Sequence, residues 1–410
     1  MEAVNIMNRV MPLAGIKVIE IGVAMAGPFC GMTLADYGAE VIKIENPAGG
    51  DESRHWPPYF PGHLSYYFAA ANRNKQSLAI DLKTEKGVDI LKKLIAETDV
   101  VIDNFRVGAL DNLGLGYDTL SGINPNLIYC SISGFGPSGP RKYDRANDIF
   151  MQAFSGNMSI TGEEGGGPVK SGVSIADIGA GMFGVIGILM ALQARTRTGR
   201  GQRVDTSLLE GQIAMLSYHL TFFFATGRAP VRRGASSQVS VPYQAFQAKD
   251  DWVVVAAFTE RMWHGVCRAI EKPDWISDDR FTTAEYRAAN RKTLVPLISD
   301  VLLQRTVADW VGRFTAEGVP CSSVNSIDKI VLDEQVLARE MVVQAEHPEA
   351  GIIRMAGLPI KFSETPGSIH SAAPLLGEHS VSVLEQIGLS DEEIAALVAE
   401  GIVSASIKTQ

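Results

Sequence analysis

Asp177 is the residue in this chain best placed to do chemistry. It sits in V-S-I-A-D-I-G-A-G-M-F-G, where a glycine-rich stretch (162–172) gives way to an apolar run over 178–194. The residues 173–176 are apolar or small and read as an extended lead-in. Aspartate is a favoured helix N-cap, because its side chain accepts from an orphan N–H of the first turn. It is also a candidate nucleophile, since carboxylates attack acyl centres and form covalent intermediates. A helix N-terminus favours the ionised form. Gly179 and Gly181 leave room for a reactant close to the backbone. These residues alone leave both readings open.

Other chemistries find little support. The histidines are His55, His63, His219, His264, His347, His370 and His379, and none shows an H-x-x-x-H spacing, so no metal is expected. Cys30, Cys130, Cys267 and Cys321 are far apart and lack a CxxC pair, as in a reducing cytoplasm. No G-x-S-x-G elbow and no G-x-G-x-x-G fingerprint occur, which argues against a serine hydrolase and a nicotinamide dehydrogenase. The net charge of −9 lacks the basic field of a nucleic-acid binder. The first ten residues show no basic-then-apolar leader, so no signal peptide is expected. The run 178–194 is about 17 residues long, at the short limit for a bilayer. It holds four glycines and follows an aspartate, so it reads as a buried core helix.

The elements that must carry Asp177 alternate between strand and helix. I-K-V-I-E-I (16–21), E-V-I-K-I-E (40–45), 77–80, D-V-V-I-D (99–103) and 127–132 read as strands, with helices after Pro28 and over 86–97. Such alternation predicts a parallel sheet covered by helices, with ligands at the carboxyl ends of its strands. After 178–194 come a strand (202–207) and a helix (210–225). The polar stretch 226–241 is the best domain boundary. Two strand-like runs flank the turn Lys249–Asp251, residues 261–317 are mostly helical, and Ser390 caps a last helix. At 410 residues the chain has room for two or three domains.

With these segments in view, the chain resembles the class III CoA-transferases, which include formyl-CoA and carnitine CoA-transferases and the related α-methylacyl-CoA racemases. P-L-A-G-I-K-V-I-E, L-A-D-Y-G-A-E-V-I-K-I-E, N-R-N-K-Q-S-L-A-I-D-L and D-N-F-R-V-G-A-L carry the likeness in the first part of the chain. G-F-G-P-S-G-P, A-D-I-G-A-G, T-G-R-G-Q-R-V-D and A-P-L-L-G-E-H carry it onward. The segments come in family order and span almost the whole sequence.

The resemblance implies that Asp177, in a D-x-x-x-G setting, is the nucleophile. Attack on an acyl-CoA would give an anhydride and then an aspartyl-CoA thioester. Gly165, Gly166 and Gly167 would be oxyanion donors. CoA would bind as a substrate, with no permanent cofactor. Its site would comprise Ala24, Met25, Ala26, Asn46, Asn72, Arg73, Asn74, Lys75, Asn104, Phe105, Arg106, Arg145 and Asn147. Lys75 and Arg106 are the foremost phosphate contacts. Asn46 and Asn112 stand where some relatives carry arginine.

Racemases of this group place a histidine in a G-H-D-I-like stretch. Here R-A-N-D-I has Asn147 at that place, so a second proton carrier is missing. S-S-Q-V-S-V-P-Y-Q (236–244) replaces the tetraglycine loop of formyl-CoA transferase. Arg232 and Arg233 offer recognition of an acceptor carboxylate. The expected fold is α/β, with a Rossmann-like large domain (1–225 and 319–410) and a smaller α+β domain (226–318), in an interlocked homodimer. The expected activity is transfer of CoA from an acyl-CoA to a carboxylic acid. The alternatives are an α-methylacyl-CoA racemase and a non-catalytic CoA-binding protein.

Overall fold

The computed structural model describes residues 10–237 and 240–406. The expected absence of a leader over residues 1–9, and Gln238 and Val239 of the tetraglycine replacement, lie outside the described residues. In chain order the first part reads β1 (Lys17–Ile21), α1 (Ala26–Asp36), β2 (Glu40–Glu45), α2 (Tyr66–Ala71), β3 (Lys75–Ile80), α3 (Glu85–Ile95) and β4 (Val100–Asp103). It continues with α4 (Tyr117–Ile123), β5 (Ile128–Ser133), α5 (Asp148–Phe154), α6 (Asn157–Ile160), α7 (Ile175–Thr198), β6 (Arg203–Ser207) and α8 (Leu208–Thr226). Then come strands β7 (Tyr243–Gln247), β8 (Trp252–Ala256), β9 (Cys321–Ser323), β10 (Val342–His347), β11 (Gly351–Ala356) and β12 (Val403–Ser404).

Seven strands form one sheet in the order β12-β3-β2-β1-β4-β5-β6. All pairs are parallel except β12 against β3. The series runs 3-2-1 and then 4-5-6, so the order reverses between β1 and β4, where open α/β sheets bind ligands. Successive strand residues face opposite sides. Ile19 and Ile21 pack with Ile90, Leu91 and Leu94 of α3. Val18 packs in a separate cluster with Cys30 and Leu34 of α1 and Ala180 and Ile188 of α7. Helices thus cover both faces, which is why the strands are apolar nearly throughout.

Charged residues interrupt that apolar pattern at one place. Glu20 and Lys43 have fully buried side chains in the middle of the sheet. Lys43 Nζ lies 2.9 Å from Glu20 Oε1 and 3.0 Å from Asp51 Oδ2, and donates to Gly22 O at 2.8 Å. Lys75 Nζ lies 2.7 Å from Glu20 Oε2 and donates at 2.8 Å each to Pro28 O, Ala71 O and Asn72 Oδ1. Gly31 is small for this reason: a Cβ there would come within 2.0 Å of Glu20 Oε2.

The chain divides into two compact units. Residues 10–155, 171–220 and 335–406 form the first, and 156–170 with 221–334 form the second. The expected limits were 225 and 319, with 156–170 inside the large domain. The first limit was read from the polar stretch 226–241, whereas the units change inside helix α8, just after a break at Ser217 (φ 36°). In the second unit β7, β8 and β9 form an antiparallel sheet. Helices Glu260–Ala269, Arg291–Leu302 and Val307–Ala316 belong to this unit. Its core holds Trp263, Trp310, Phe246, Phe281 and Phe314. The hairpin β10–β11, which pairs Val342 with Ala356 through His347 with Gly351, was not expected from the sequence.

Lys75→Met removes one partner from a buried ion network and leaves Glu20 and Asn72 short of a donor. It is expected to cost about 3–5 kcal/mol of unfolding free energy. Urea unfolding measures it, and a loss below about 1 kcal/mol would show the network to be dispensable.

Candidate active site

Helix α7 places Asp177, but not as its cap. The helix starts at Ile175 with Ser174 as N-cap, so Asp177 is the third helical residue. The N–H of Ala176 donates to Asp148 Oδ1 at 2.9 Å, which supplies the capping bond from another helix. The expected cap reading is therefore corrected: the Asp177 side chain makes no capping bond.

The glycines beside it have a different role from the one expected. A Cβ on Gly181 would lie 2.7 Å from Ala26 O, and one on Gly179 would lie 2.4 Å from Met215 Cε. Their space is filled by α1 and α8, not left for a reactant. The glycine of D-x-x-x-G lets α7 approach the first turn of α1 closely, which brings Asp177 to the β1–α1 loop.

That loop is built by side chains from neighbouring strands. Asn104, just after β4, accepts from Val23 N and donates to Val23 O, both at 2.9 Å. Asp51 accepts from Ala24 N at 3.1 Å, and also holds Ser53 N and Oγ. Ala24 has φ 63°, a strained value for a residue with a Cβ. The Asp51 bond, tied through Lys43 to the buried network, holds it there. Asp103 accepts from Phe105 N at 2.8 Å and from Tyr129 Oη at 2.9 Å, and its burial pushes its carboxyl up to about 6.

Val23, Ala24, Asn104 and Phe105 line a cavity of about 780 Å³ at the β1/β4 reversal. Asp177 lines it, with Ala24, Met25 and Ala26 from the first loop, and Asn104, Phe105 and Arg106 after β4. Arg145 and Asn147 complete the set. The guanidinium groups of Arg106 and Arg145 make no hydrogen bond or ion pair among the described residues, which leaves both for an anionic ligand. Asn147 is also the N-cap of α5, accepting from Phe150 N at 3.1 Å.

The remaining expected positions lie elsewhere. Asn46 lines a second cavity, of about 380 Å³, beyond the carboxyl ends of β1 to β3; Val23 and Phe105 line both cavities. Asn72, Arg73, Asn74 and Lys75 are buried. Arg73 Nη2 pairs with Asp36 at 2.7 Å, and Asn74 holds Asp36, His370 and Ser371. Lys75 was expected to meet a phosphate. Its ammonium already faces four acceptors and has no exposed atom, so it has no donor to offer. Gly165, Gly166 and Gly167 belong to the second unit, and Gly166 N donates to Glu163 O.

Several lining residues were not read from the sequence. Tyr67 and Trp56 stack edge to face at 4.8 Å and line the Asp177 cavity. Ser174 lines the same cavity. Burial first, and the charge of Asp177 next, push the Tyr67 phenol up to about 12, so it stays a neutral donor. Asp148 adjoins Asn147 in R-A-N-D-I, yet only its neighbour drew notice. It accepts from Ala176 N and from Gln152 Nε2 at 2.7 Å.

Burial is the main force on Asp177, and the charge of Asp148 adds to it. Together they push its carboxyl up to about 7. The expectation that the helix end would keep it fully ionised is corrected: desolvation outweighs the dipole. Near neutrality the site holds both forms. The protonated form suits a partly buried site, and an ionised carboxylate can attack an acyl centre.

A family model described as CoA-transferase family III matches residues 13–380. The chain is 37% identical over 399 residues to a protein of Homo sapiens named succinyl-CoA:glutarate CoA-transferase, covering 97% of this chain and 91% of that one. It is 36% identical over 394 residues to succinyl-CoA:mesaconate CoA-transferase of Haloarcula hispanica, covering 92% and 96%. Among solved structures, a CAIB/BAIF family protein from Brucella suis superposes with a TM-score of 0.84 at 35% identity, covering 92% of this chain and all of that one.

The raised carboxyl makes a prediction about stability. A folded-state value of about 7 lies above the ordinary value of 3.8, so the fold favours the proton. That stability is fully present below about pH 4 and is lost as pH rises through about 7. Asp177→Asn should therefore raise the melting temperature at about pH 8 and change it little at about pH 4. Equal shifts at both values would show that burial does not perturb Asp177. Asp148→Asn should move the transition to lower pH.

Proposed function

Since this chain belongs to CoA-transferase family III, we propose that it moves CoA from an acyl-CoA, first of all succinyl-CoA, to a dicarboxylic acid, with Asp177 as the nucleophile. Its class, acyl-CoA:carboxylate CoA-transferase, is shared with the relatives. The observation that carries the residue assignment is Asp177 in the lining of the β1/β4 cavity, which two unpaired arginines also line.

One carboxylate oxygen of Asp177 attacks the thioester carbonyl. The C–S bond breaks, the CoA thiolate leaves, and a mixed anhydride forms on the enzyme. The thiolate then attacks the aspartyl carbonyl and expels the donor as its carboxylate, leaving an aspartyl-CoA thioester. The acceptor carboxylate attacks that thioester to form a second anhydride. The thiolate attacks the acceptor's acyl carbon, which releases the new thioester and regenerates Asp177. Each step exchanges one acyl bond for another, so the energy of the thioester is kept as long as water is excluded.

Arg106 and Arg145 are the groups we assign to the phosphates of CoA. Tyr67, a neutral donor beside Asp177, is the group we assign to the developing oxyanion. The second cavity, reached past Phe105, offers an apolar space for the base of the nucleotide, with Asn46 at its edge. The racemase alternative loses ground because Asn147 does not titrate and its side chain is spent as a cap. CoA enters as a substrate, and no permanent cofactor is assigned.

A homodimer fits the surface of α7. The helix is long and apolar enough to cross a membrane by length and composition. One side packs inward through Ala180, Gly184, Ile188 and Ala191. The other exposes Met182, Ile186, Leu189 and Met190, the last 67% exposed, so it is only half the core helix expected. A second copy of the chain is the cover we assign to this face. The four free cysteines suit a cytoplasmic setting.

Asp177→Ala should abolish transfer while leaving the melting temperature near that of the parent. Incubation of the parent with succinyl-CoA and hydroxylamine should convert Asp177 to a hydroxamate, located by peptide mass spectrometry. Full turnover with no mark at Asp177 would remove the aspartyl intermediate. Arg106→Ala should raise KM for the acyl-CoA about tenfold or more, with no loss of stability. An unchanged KM would take Arg106 out of the phosphate site.

A further inference from the structure

A second set of cations lies in the second unit. Arg233, Arg291 and Lys292 line a cavity of about 1150 Å³. Arg232, its neighbour in sequence, is occupied: its Nε donates to Gly166 O at 3.1 Å. Arg233 is not. It is half-buried, its Nε has neither solvent nor a partner, and its guanidinium makes no hydrogen bond or ion pair among the described residues.

Arg291 sets this apart from an ordinary solvated arginine. It is anchored to Ser236 Oγ at 3.2 Å and Ser237 O at 2.6 Å. Burial first, and then the charge of Arg233, push its guanidinium downward. Two like charges are therefore held together where water is partly excluded. Glu164 offsets Arg291 in part. Glu163 and Glu164 line the same cavity but are exposed, and neither forms an ion pair with Arg233. A bound anion would relieve this repulsion and give Arg233 its missing acceptor.

The apolar part of the lining decides the kind of anion. Trp252, Leu303 and Val324 form it and are 44–48% exposed. A free phosphate has nothing to place against indole and aliphatic carbon. We propose that this cavity is a binding site for an organic carboxylate with an apolar or aromatic body, its carboxylate on Arg233 and its body on Trp252 and Leu303. The proposal does not depend on the role given to Asp177.

The test is calorimetric titration of the full-length protein with 4-phenylbutyrate. Binding should fall about tenfold or more in Arg233→Gln and stay within about threefold in Arg233→Lys. 4-Phenylbutyramide and inorganic phosphate should each bind about tenfold more weakly or worse. Arg106→Ala and Asp177→Ala should leave the affinity unchanged, which separates this site from the Asp177 cavity. Because Arg233 has no partner to lose, Arg233→Gln should fold. Leu303→Asp is an independent variant that puts a negative charge on the apolar wall, and it should also weaken binding. Affinity that survives both Arg233→Gln and Leu303→Asp, equal affinity for the amide or for phosphate, or no binding at all would overturn the proposal.

Discussion

The buried charges of Glu20, Lys43, Asp51 and Lys75 are the constraint on which the Asp177 cavity depends. Glu20 sits on β1, Lys43 on β2 and Lys75 on β3, so the pairs cross-link three adjacent strands inside the sheet. Burying charge is unfavourable unless each group finds its complement. Here the carboxylate of Glu20 is shared by two ammonium groups, and Lys43 passes the link on to Asp51. Asp51 then holds Ala24 in its strained conformation. The first loop of the cavity thus takes its shape from buried charges, none of which lines the Asp177 cavity. A wholly apolar interior would pack the strands as well, but would not specify that loop.

Asp177 shows what burial costs a carboxylate. Excluding water protects reactive acyl groups, yet partial burial already pulls the Asp177 carboxyl toward its neutral form. Asp148 adds to that penalty while also holding the start of α7 through Ala176 N. One carboxylate thus anchors the helix that carries the other and raises the cost of the other's charge. A carboxylate of high basicity is also the better nucleophile once ionised.

The sheet was largely legible because its signal is local. β-branched runs ending in Gly or Asn fix β1, β2 and β4 to within a residue or two. Ser390 is the N-cap expected for the last helix, and Glu393 completes a capping box with it. Eight of the thirteen expected binding positions meet in one cavity because they lie at strand ends, where topology gathers them. The misreadings share one cause. The resemblance puts Asn72 to Lys75 in the CoA site, but a lysine's partner is set by which strands are neighbours, and that is not local. The same holds for Tyr67 and Asp148, whose roles come from α7, more than twenty residues further on. Gly181 drew attention for the right property, its lack of a side chain. What fills the gap, Ala26 O, comes from an element about 150 positions earlier.

The sheet also has a history in time. Strand β12 at Val403–Ser404 pairs with β3 at Ala79–Ile80, more than three hundred positions earlier. During synthesis at roughly 5–20 residues per second, β3 therefore stays an open edge for about 15–60 s. An open edge of parallel sheet is a template for pairing with other chains. Overproduction on crowded ribosomes would place many such edges side by side. Slower elongation spreads nascent chains apart but lengthens the time for which β3 waits for β12.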